Sequence, residues 1–365
     1  MSKKWIAAIM ALVLCLGLLT GCAGDDGTID SEKAYKKYKP DTLVMTINGD
    51  EINWTEFFYM MNSGVSQLTY YTPELVWDDT SITGSVTNEE YVMRFTMEGL
   101  QQFHLIHNKA KELNVQLTAE EEQGLADMVQ AYKDTYLEAD ATDEEFDAFL
   151  ESIYMNREVF DYVNRVAYEY NHVFSQLVGN NGEQLSDDDI AAYVEKQPFV
   201  TAKHILLKTV DDAGAALPAD QIEAARVKAN ELYDQLKNIK DTAKLSETFD
   251  KLLEEHNEDE GMAFFPGGYT FTTGEMVPEF ETATFALEEN AVSEPVLSQF
   301  GYHIILRLPT TRDSVVEYMT ETNGYTTVGY YAAVDAFNSL LYAWMDECDI
   351  VWADGFKDFD IAKIY

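Results

Sequence analysis

Cysteine and basic side chains are both scarce in this chain. It has three cysteines, and two of them, Cys15 and Cys22, lie within or directly after an apolar run at the N-terminus. Because only Cys348 follows, the rest of the chain can form no internal disulfide and must be stabilised by its core. Lys and Arg number 25 against 65 Asp and Glu, which gives a formal net charge of −40. Such a chain repels phosphates, so we expect neither nucleic acid nor an anionic lipid surface to bind it by charge.

Apolar residues are abundant by contrast. They make up 46% of the 365 residues, and aromatic residues make up 13%. This composition excludes a disordered chain, a collagen and a coiled-coil rod. At ~150 residues per domain, the length predicts two or three domains, with ample apolar material for packed cores.

The N-terminus has the pattern of an export signal. A short basic segment precedes an uncharged apolar run of 15 residues, 5–19, which is too short to span a bilayer comfortably. The run ends in Leu-Thr-Gly-Cys, which resembles a bacterial lipobox and implies cleavage before Cys22 and a diacylglycerol on its sulfur. Two acyl chains anchor a protein stably, and the alternative is an uncleaved segment with a chance cysteine. We predict a signal peptide at 1–21 and a lipid-anchored polar tether at 22–41.

Residues 42–197 have the pattern of a helical domain. Leu43–Ile47 has the character of a strand, and the Asn-Gly turn after it predicts a hairpin. Further along, Ser or Thr is repeatedly followed three residues later by Glu or Asp, which is the capping box of a helix start. These boxes begin at Thr87, Thr118, Thr142 and Ser186.

Pro198 marks a change to an α+β pattern. The predicted strands lie at 199–207, near 292–297 and near 302–308, the predicted helices at 219–239, 243–255 and 279–286, and a loop at 257–274. This order predicts a compact α+β domain with a small sheet over 198–309. The remaining segment, 310–365, contains one more predicted helix at 329–348.

Three motifs within residues 198–309 resemble the parvulin family of peptidyl-prolyl isomerases. They are Ala-Lys-His-Ile-Leu-Leu at 202–207, Gly-Glu-Met-Val-Pro-Glu-Phe at 274–280, and Ser-Glu-Pro-Val at 293–296 with Phe-Gly-Tyr-His-Ile-Ile at 300–305. Each motif alone is weak, but together, in this order and at this spacing, they are specific. The resemblance implies a small antiparallel-type sheet with surrounding helices. It also implies an isomerase without cofactor or metal, since rotation about an X–Pro bond breaks no covalent bond.

The resemblance further implies which residues form the site. It assigns catalytic positions to His204, Asp259 and His303, proline-pocket positions to Met276 and Phe280, and a supporting hydroxyl to Ser298. The first motif supplies one histidine and the last motif the other, whereas the position of the aspartate is inferred from its spacing to Met276.

Several of these positions have a plainer interpretation. The two histidines would serve equally well as structural residues that hydrogen-bond between strands. Asp259 lies in an acidic run, 254–260, of a kind that usually forms solvated surface, and the adjacent Glu258 could take its place. The loop at 265–270 departs from the Gly-Gly-Asp/Glu-Leu-Gly of many parvulins, which leaves the shape of the pocket open.

Two patterns outside this region also have a simple interpretation. His104 and His107 are three apart on a predicted helix, but no further Cys or His completes a metal site, so we predict partly buried helix histidines and no metal. The aromatic groups at 57–59, 70–71 and 330–331 would line a client-binding cleft or, more simply, pack the core.

The resemblance extends beyond the parvulin motifs. Segments 44–57 and 109–121 are similar to the chaperone region of SurA-type and PrsA-type foldases, in which the segments around the isomerase domain pack into one module. We therefore expect a parvulin-like domain inserted in a mainly helical chaperone module, with residues 310–365 packing on residues 42–197.

Taken together, these patterns predict a membrane-anchored extracytoplasmic foldase. It would isomerise X–Pro bonds in newly exported, unfolded polypeptides and limit their aggregation. The alternative is a holdase chaperone whose parvulin domain is inactive. A solute-binding lipoprotein would need two lobes with parallel sheets, which the helical pattern at 88–197 disfavours. The oligomeric state stays open, a dimer included.

Overall fold

The computed structural model describes residues 29–71, 75–138, 140–319 and 324–365. The predicted signal peptide at 1–21 and the predicted acylation site, Cys22, lie outside these ranges. Among the helices of the described ranges, none is both long and apolar enough to cross a bilayer.

Eleven α-helices and nine β-strands form within the described residues. The helices are α1 Ser31–Tyr35, α2 Trp54–Tyr71, α3 Asn88–Glu112, α4 Ala119–Tyr136, α5 Asp143–Ser152, α6 Arg157–Leu177, α7 Asp187–Lys196, α8 Ala219–Leu236, α9 Thr242–His256, α10 Pro278–Ala286 and α11 Val328–Glu347. The strands are β1 Leu43–Ile47, β2 Asp50–Asn53, β3 Val200–Lys208, β4 Tyr269–Phe271, β5 Val296–Leu297, β6 Gly301–Leu308, β7 Val315–Met319, β8 Gly324–Thr327 and β9 Ile350–Trp352. Helices combined with small antiparallel sheets confirm the predicted α+β class.

These elements fold as two compact units. The first, named here the helical unit, combines the chain up to Gln176 with Phe337–Tyr365. The second, named the sheet unit, spans Leu177–Ala336. The sheet unit therefore contains α7 and the hairpin β7–β8 in addition to the segment that carries the three motifs.

A three-stranded antiparallel sheet, ordered β2-β1-β9, belongs to the helical unit. Asn48 and Gly49 join β1 to β2 with φ angles of 51° and 91°. A tight hairpin turn requires such positive φ values, and Asn and Gly tolerate them. The predicted hairpin is therefore confirmed. The edge strand β9 was not predicted, and it pairs with β1 so that Trp352 lies opposite Met45.

The helices begin where the capping boxes predict. The side chains of Thr87, Thr118, Thr142 and Ser186 each accept a hydrogen bond from the backbone N–H three residues later, and the carboxylate there accepts one from the N–H of the cap. Each box thereby satisfies two backbone donors that helix geometry leaves unpaired. Past the end of α3, Asn114 has a φ of 54°, a left-handed geometry that Asn adopts more readily than most residues.

Part of the segment predicted as a tether is folded. Helix α1 forms within it, and Ala34 is fully buried. The Tyr38 ring packs edge-on against the Trp54 indole with centroids 4.8 Å apart, and Trp54 Nε1–H donates to the carbonyl of Tyr35 at 2.7 Å. The prediction of a polar tether over 22–41 is therefore wrong for this stretch, because its tyrosines bury large aromatic surfaces.

The sheet unit is built on a four-stranded antiparallel sheet, ordered β4-β3-β6-β5. Helices α8 and α9 cover one face, where Ile205 and Ile304 pack against Leu232 and Phe249. Helix α10 covers the other face through Phe280. Because side chains alternate between the faces of a strand, every second residue of β3 points towards α10.

Three stretches of the sheet unit differ from the prediction. The predicted loop at 257–274 contains a 3₁₀ turn, Glu260–Ala263, and the strand β4. The predicted strand at 292–297 is reduced to β5, because Pro295 has no N–H to donate to a ladder. The hairpin β7–β8 was not predicted, since its strands mix polar and aromatic residues without a clean alternation.

Candidate active site

Two buried histidines meet on one face of the sheet. His204 on β3 is 5% exposed and His303 on β6 is 3% exposed. The register sets His204 opposite Ile305 and His303 opposite Leu206, so the histidines are diagonal neighbours on the same face. Their Nδ1 atoms lie 3.0 Å apart, and their rings stack at 20°. A contact this short requires one of the two nitrogens to carry the proton that the other accepts.

A carboxylate closes one end of this pair. Asp259 Oδ2 lies 2.8 Å from His204 Nε2 and accepts a hydrogen bond from Tyr269 O–H at 2.9 Å. Gly261 N–H donates to Asp259 Oδ1 at 3.0 Å. Asn257 holds the backbone of Asp259 from both sides, because its side-chain oxygen accepts from the Asp259 N–H and its amide donates to the Asp259 carbonyl. The carboxylate therefore has a fixed position and orientation.

A serine closes the other end. Ser298 Oγ lies 2.7 Å from His303 Nε2 and accepts a hydrogen bond from Phe300 N–H at 3.1 Å. Both rings can be neutral in this arrangement: Ser298 O–H then donates to His303, and His303 Nδ1–H donates to His204. His204 Nε2–H in turn donates to Asp259, so no buried ring nitrogen lacks a partner. We call this chain of contacts, from Tyr269 through Asp259, His204 and His303 to Ser298, the histidine network.

Burial and hydrogen bonding shift the ionisation of the network. Burial, and then the charge of His204, lower the pKa of His303 from 6.5 to about 3. Burial alone would raise the pKa of Asp259, but the hydrogen bonds from His204 and Tyr269 outweigh it and lower the pKa to about 2. Burial and the neighbouring Asp259 raise the pKa of Tyr269. At neutral pH the network therefore contains a neutral His303, an ionised Asp259 and a neutral Tyr269.

An apolar surface lies beside the network. The Phe280 ring packs against both histidine rings, with centroid distances of 5.1 and 5.4 Å. Phe280 is 3% exposed, whereas Met276 is partly exposed and packs on the same apolar cluster. Glu281 accepts a hydrogen bond from Gly274 N–H at 2.7 Å, which ties the loop before α10 to the helix. Met276, which lies in this loop, thus packs at the edge of the apolar cluster that contains Phe280.

The structure brings together the six residues that the resemblance assigns to the site. The alternative to Asp259 is directed elsewhere, since Glu258 Oε2 accepts from Lys208 N–H at 2.5 Å. Two contributors were not assigned from the sequence, Asn257 and Tyr269. The departure of the 265–270 loop from the parvulin pattern was the signal that could have identified Tyr269.

The two ends of the site differ in accessibility. The side chain of Asp259 is 24% exposed, whereas that of His204 is 6% exposed. A bound molecule would therefore meet Asp259, Tyr269 and Met276, and His204 would hold the first two from the buried side. The arrangement offers an apolar floor next to a fixed negative charge and a phenol, with no need for a proton to move.

The predicted helix histidines do not form a joint site. His104 Nε2 lies 2.7 Å from Glu56 Oε1, and His107 Nδ1 lies 2.7 Å from Glu169 Oε2. Within the residues that the structure describes, no group of three or more His, Cys, Asp or Glu side chains could hold a metal. Of the aromatic groups, the one at 57–59 is buried in the core of the helical unit.

Comparison with known proteins agrees with this geometry. Residues 204–308 match the family described as Rotamase, PPIC-type PPIASE domain. The chain is similar to foldase protein PrsA 1 of Bacillus cereus, with 38% identity over 111 residues that cover 30% of each protein. It is also similar to foldase protein PrsA of Oceanobacillus iheyensis, with 28% identity over 230 residues, 61% of this chain and 64% of the relative. Foldase protein PrsA of Clostridium perfringens is 22% identical over 318 residues, 83% of this chain and 81% of the relative.

These findings confirm the resemblance to the parvulins and to PrsA-like foldases. The sheet unit contains a peptidyl-prolyl isomerase domain of parvulin type. The chain spans 30% and 64% of the lengths of the first two relatives.

Proposed function

We propose that this chain, which carries a parvulin-type peptidyl-prolyl isomerase domain, is a lipid-anchored extracytoplasmic foldase. Residues 198–309 would catalyse cis/trans isomerisation of X–Pro bonds in newly exported polypeptides. The helical regions, 42–197 and 310–365, would bind those polypeptides and limit their aggregation. The observation that carries the proposal is the histidine network beside Phe280 and Met276, since it joins every assigned position in one site.

The reaction breaks no covalent bond, so the protein needs to supply no covalent chemistry. Amide resonance sets a barrier of ~18–20 kcal/mol to rotation about the peptide bond, and the cis and trans forms of an X–Pro bond are close in energy. A catalyst needs only to bind the twisted amide more tightly than the planar one. A pocket for the proline ring and a fixed electric field at the amide are sufficient for this task.

The residues of the site suit these two tasks. Met276 and Phe280 would hold the proline ring, the first by adapting its shape and the second by offering a flat face. The planar amide carries more negative charge on its carbonyl oxygen than the twisted amide does, because resonance moves charge onto oxygen. The ionised Asp259 would therefore disfavour the planar form when that oxygen lies nearby. His204 and His303 are positioning residues, since they contact Asp259 and Phe280 and are shielded from solvent.

The anchor is the second part of the proposal. The Leu-Thr-Gly-Cys sequence supports acylation at Cys22, and the net charge of −40 argues against adhesion to anionic lipid by electrostatics. We expect Cys22→Ser to move the protein from the membrane fraction to the soluble fraction and to abolish the incorporation of labelled palmitate. Incorporation of labelled palmitate by the variant equal to that of the wild type would contradict acylation at Cys22.

The isomerase activity is tested by exchange NMR on X–Pro peptides. The protein used begins at residue 23, without the signal and the acylation site, and is compared with its Met276→Ala variant. Met128→Ala, a partly buried methionine of the helical unit, is the matched control. We expect the wild type and the control to accelerate exchange and Met276→Ala to lose at least about 10-fold of the acceleration while unfolding at the same temperature.

A different outcome would identify the alternative function. If no peptide isomerises faster, while the same protein still suppresses aggregation of an unfolded client, the chain is a holdase on a parvulin scaffold. If Met276→Ala and the control lose activity equally, the pocket lies elsewhere.

A further inference from the structure

Three aromatic side chains form a row on the surface of the sheet unit. The Phe264 ring stacks on Tyr318 of β7 with centroids 5.4 Å apart at 29°. Tyr318 in turn packs on Tyr325 of β8 at 5.1 Å, and the two tyrosines are directly opposite in the hairpin register. Phe264 is 52% exposed and Tyr325 is 47% exposed. We call these three residues the aromatic ledge.

The ledge is continuous with the histidine network. Phe264 ends the 3₁₀ turn that Asp259 caps, and its N–H donates to the carbonyl of Gly261 at 3.0 Å. The next residue, Phe265, packs its ring on Tyr269 at 4.9 Å, and Tyr269 donates to Asp259. The position of Phe264 is therefore fixed by the same turn that fixes the carboxylate.

The hairpin also lies next to a strand of the site. Strand β7 packs against β4, the strand that Tyr269 begins, and the phenol of Tyr269 donates to Asp259. The hairpin β7–β8 therefore adjoins the Tyr269 side of the histidine network.

A structural role explains only part of the ledge. The facing pair of Tyr318 and Tyr325 stabilises a two-stranded hairpin, as cross-strand aromatic pairs do. The half-exposed Phe264 lies on a turn outside any strand, and one face of its ring stays open to solvent. Exposed aromatic rings that adjoin a site are typical of surfaces that bind a partner.

The charges around the ledge restrict the partner. The acidic run 254–260 leads into the turn that ends at Phe264, and Glu258 and Glu260 are exposed on either side of Asp259. Within the described residues, Glu260 forms no ion pair with a basic side chain. Aromatic faces beside unneutralised carboxylates attract aromatic side chains and also cations.

We propose that the aromatic ledge is a second subsite of the isomerase, one that binds the polypeptide segment flanking the proline. It selects segments of net positive charge in which an aromatic residue lies within a few positions of the proline. The inference rests on the proposed function for its role in turnover, but the binding that it describes is measured independently. The ledge holds the segment equally in the planar and twisted states, so it lowers KM and leaves kcat unchanged.

The test compares two peptides by exchange NMR. Both contain the same Ala-Pro bond; one carries Phe and Lys on either flank, and the other carries Ala and Glu at those positions. The proteins are the wild type, Phe264→Ala, and Tyr325→Thr, which keeps a strand-forming residue at β8. Tyr70→Ala, an 81% exposed tyrosine of the helical unit, is the matched control.

We expect the wild type and the control to prefer the Phe-Lys peptide in kcat/KM by about 3- to 10-fold, the range of one aromatic contact. Phe264→Ala and Tyr325→Thr should lose most of this preference through KM, with unchanged turnover of the Ala-Glu peptide. A preference that persists in both variants would overturn the proposal. An equal loss on both peptides would overturn it too, because the ledge would then support the site only structurally.

A binding experiment tests the aromatic ledge independently of the proposed isomerase activity. The two peptides are titrated into each protein, and affinity is taken from the amide NMR shifts of the sheet unit. If no peptide isomerises faster, the proposed activity fails, and the ledge is then judged by affinity alone. Tighter binding of the Phe-Lys peptide that disappears in Phe264→Ala supports the ledge, and equal affinity of the two peptides overturns it.

Discussion

Two pairs of histidines, one in each unit, are held in opposite ways. His204 and His303 are 99 residues apart in sequence, yet their Nδ1 atoms are in hydrogen-bond contact. His104 and His107 are neighbours on α3, yet each bonds to a carboxylate, Glu56 and Glu169 respectively. The second pair resembled a ligand pair by spacing, whereas nothing in the spacing of the first suggests contact. Spacing on a helix fixes only the direction of a side chain, and the partner is fixed by whatever packs against that face.

The two pairs of histidines also differ in how their rings contact carboxylates. Each helix histidine faces carboxylates of its own: His104 lies against Glu56 and, at 3.6 Å, Asp50, and His107 lies against Glu169. Of the two sheet histidines, only His204 contacts Asp259. His303 is left between a second imidazole and Ser298, and its pKa is lowered to about 3. Because the carboxylate contacts His204 and not His303, the buried His303 ring stays neutral at physiological pH.

The largest expected effect comes from removing the ring that both sheet histidines contact. Phe280→Ala should lower the free energy of unfolding by ~3–5 kcal/mol, since a fully packed ring is lost and a cavity remains. Urea denaturation measures this, with Phe300→Ala as the control because that ring is 45% exposed. The control should cost less than about 1 kcal/mol. Similar losses in the two variants would show that Phe280 does not organise the pair.

The lowered pKa of His303 predicts a pH dependence of stability. The unfolded chain binds a proton to this histidine below pH 6.5, whereas the folded chain does so only near pH 3. Its contribution to stability is therefore complete above pH 6.5 and is lost as the pH falls from there to about 3. Between about pH 7 and pH 4, this single group should cost roughly 3 kcal/mol of unfolding free energy.

The matched variant for this effect is His303→Gln. Urea denaturation of both proteins across the same pH range should show a smaller loss for the variant, because the titrating ring is absent. Asp259, whose pKa is lowered to about 2, acts in the same direction in both proteins but only below its unfolded value of 3.8. Parallel pH profiles would contradict a neutral, buried His303.

The contact between His104 and Glu56 in the helical unit can be tested in the same way. His104→Leu removes the partner of Glu56, whose side chain is 11% exposed, and leaves a buried carboxylate without that hydrogen bond. We expect a loss of ~2 kcal/mol in the free energy of unfolding. The double variant His104→Leu/Glu56→Leu should recover part of it, because neither position then carries an unpaired buried polar group. If the double variant is no more stable than His104→Leu, the two side chains are not coupled.

The smallest expected effect on stability comes from removing the hydrogen bond between Tyr269 and Asp259. Tyr269→Phe removes one of the hydrogen bonds to Asp259 and keeps the ring that packs on His204. We expect a loss of about 1 kcal/mol in stability and a rise in the pKa of Asp259, measured by carboxyl NMR shifts. Tyr233→Phe on α8, which lies outside the network, serves as the control. An unchanged pKa would show that the phenol does not stabilise the ionised carboxylate.

Local chemistry made some features of this protein predictable. Each capping box acts over three residues and satisfies backbone donors of its own helix, so Thr87 or Ser186 indicates a helix start wherever that helix packs. The Asn48-Gly49 turn is equally local, because its positive φ angles suit those two residues. The motif residues of the site were identified by resemblance, and of the two adjacent candidates in the acidic run it is Asp259, not Glu258, that lies against His204.

Other features depend on contacts that no local pattern encodes. Tyr269 joined the network because β4 pairs with β3 and turns the phenol towards Asp259. Part of the predicted tether is folded because Tyr35 packs on Phe58 and Tyr38 packs on Trp54, and both partners belong to the aromatic core of the helical unit. The hairpin β7–β8 formed with Phe264 against it, although neither segment has a strong pattern of its own.

The sequence by itself determined where most helices begin, where the first hairpin turns, and which residues carry the isomerase motifs. These properties follow from interactions within a few residues, whose energies hardly depend on the rest of the fold. Only the tertiary structure decided which ring nitrogen faces which, that Asp259 contacts one histidine of the pair and Ser298 the other, and that an aromatic ledge adjoins the turn of Asp259. Strand register and packing determine those contacts, because they bring side chains that are tens of residues apart within hydrogen-bond distance.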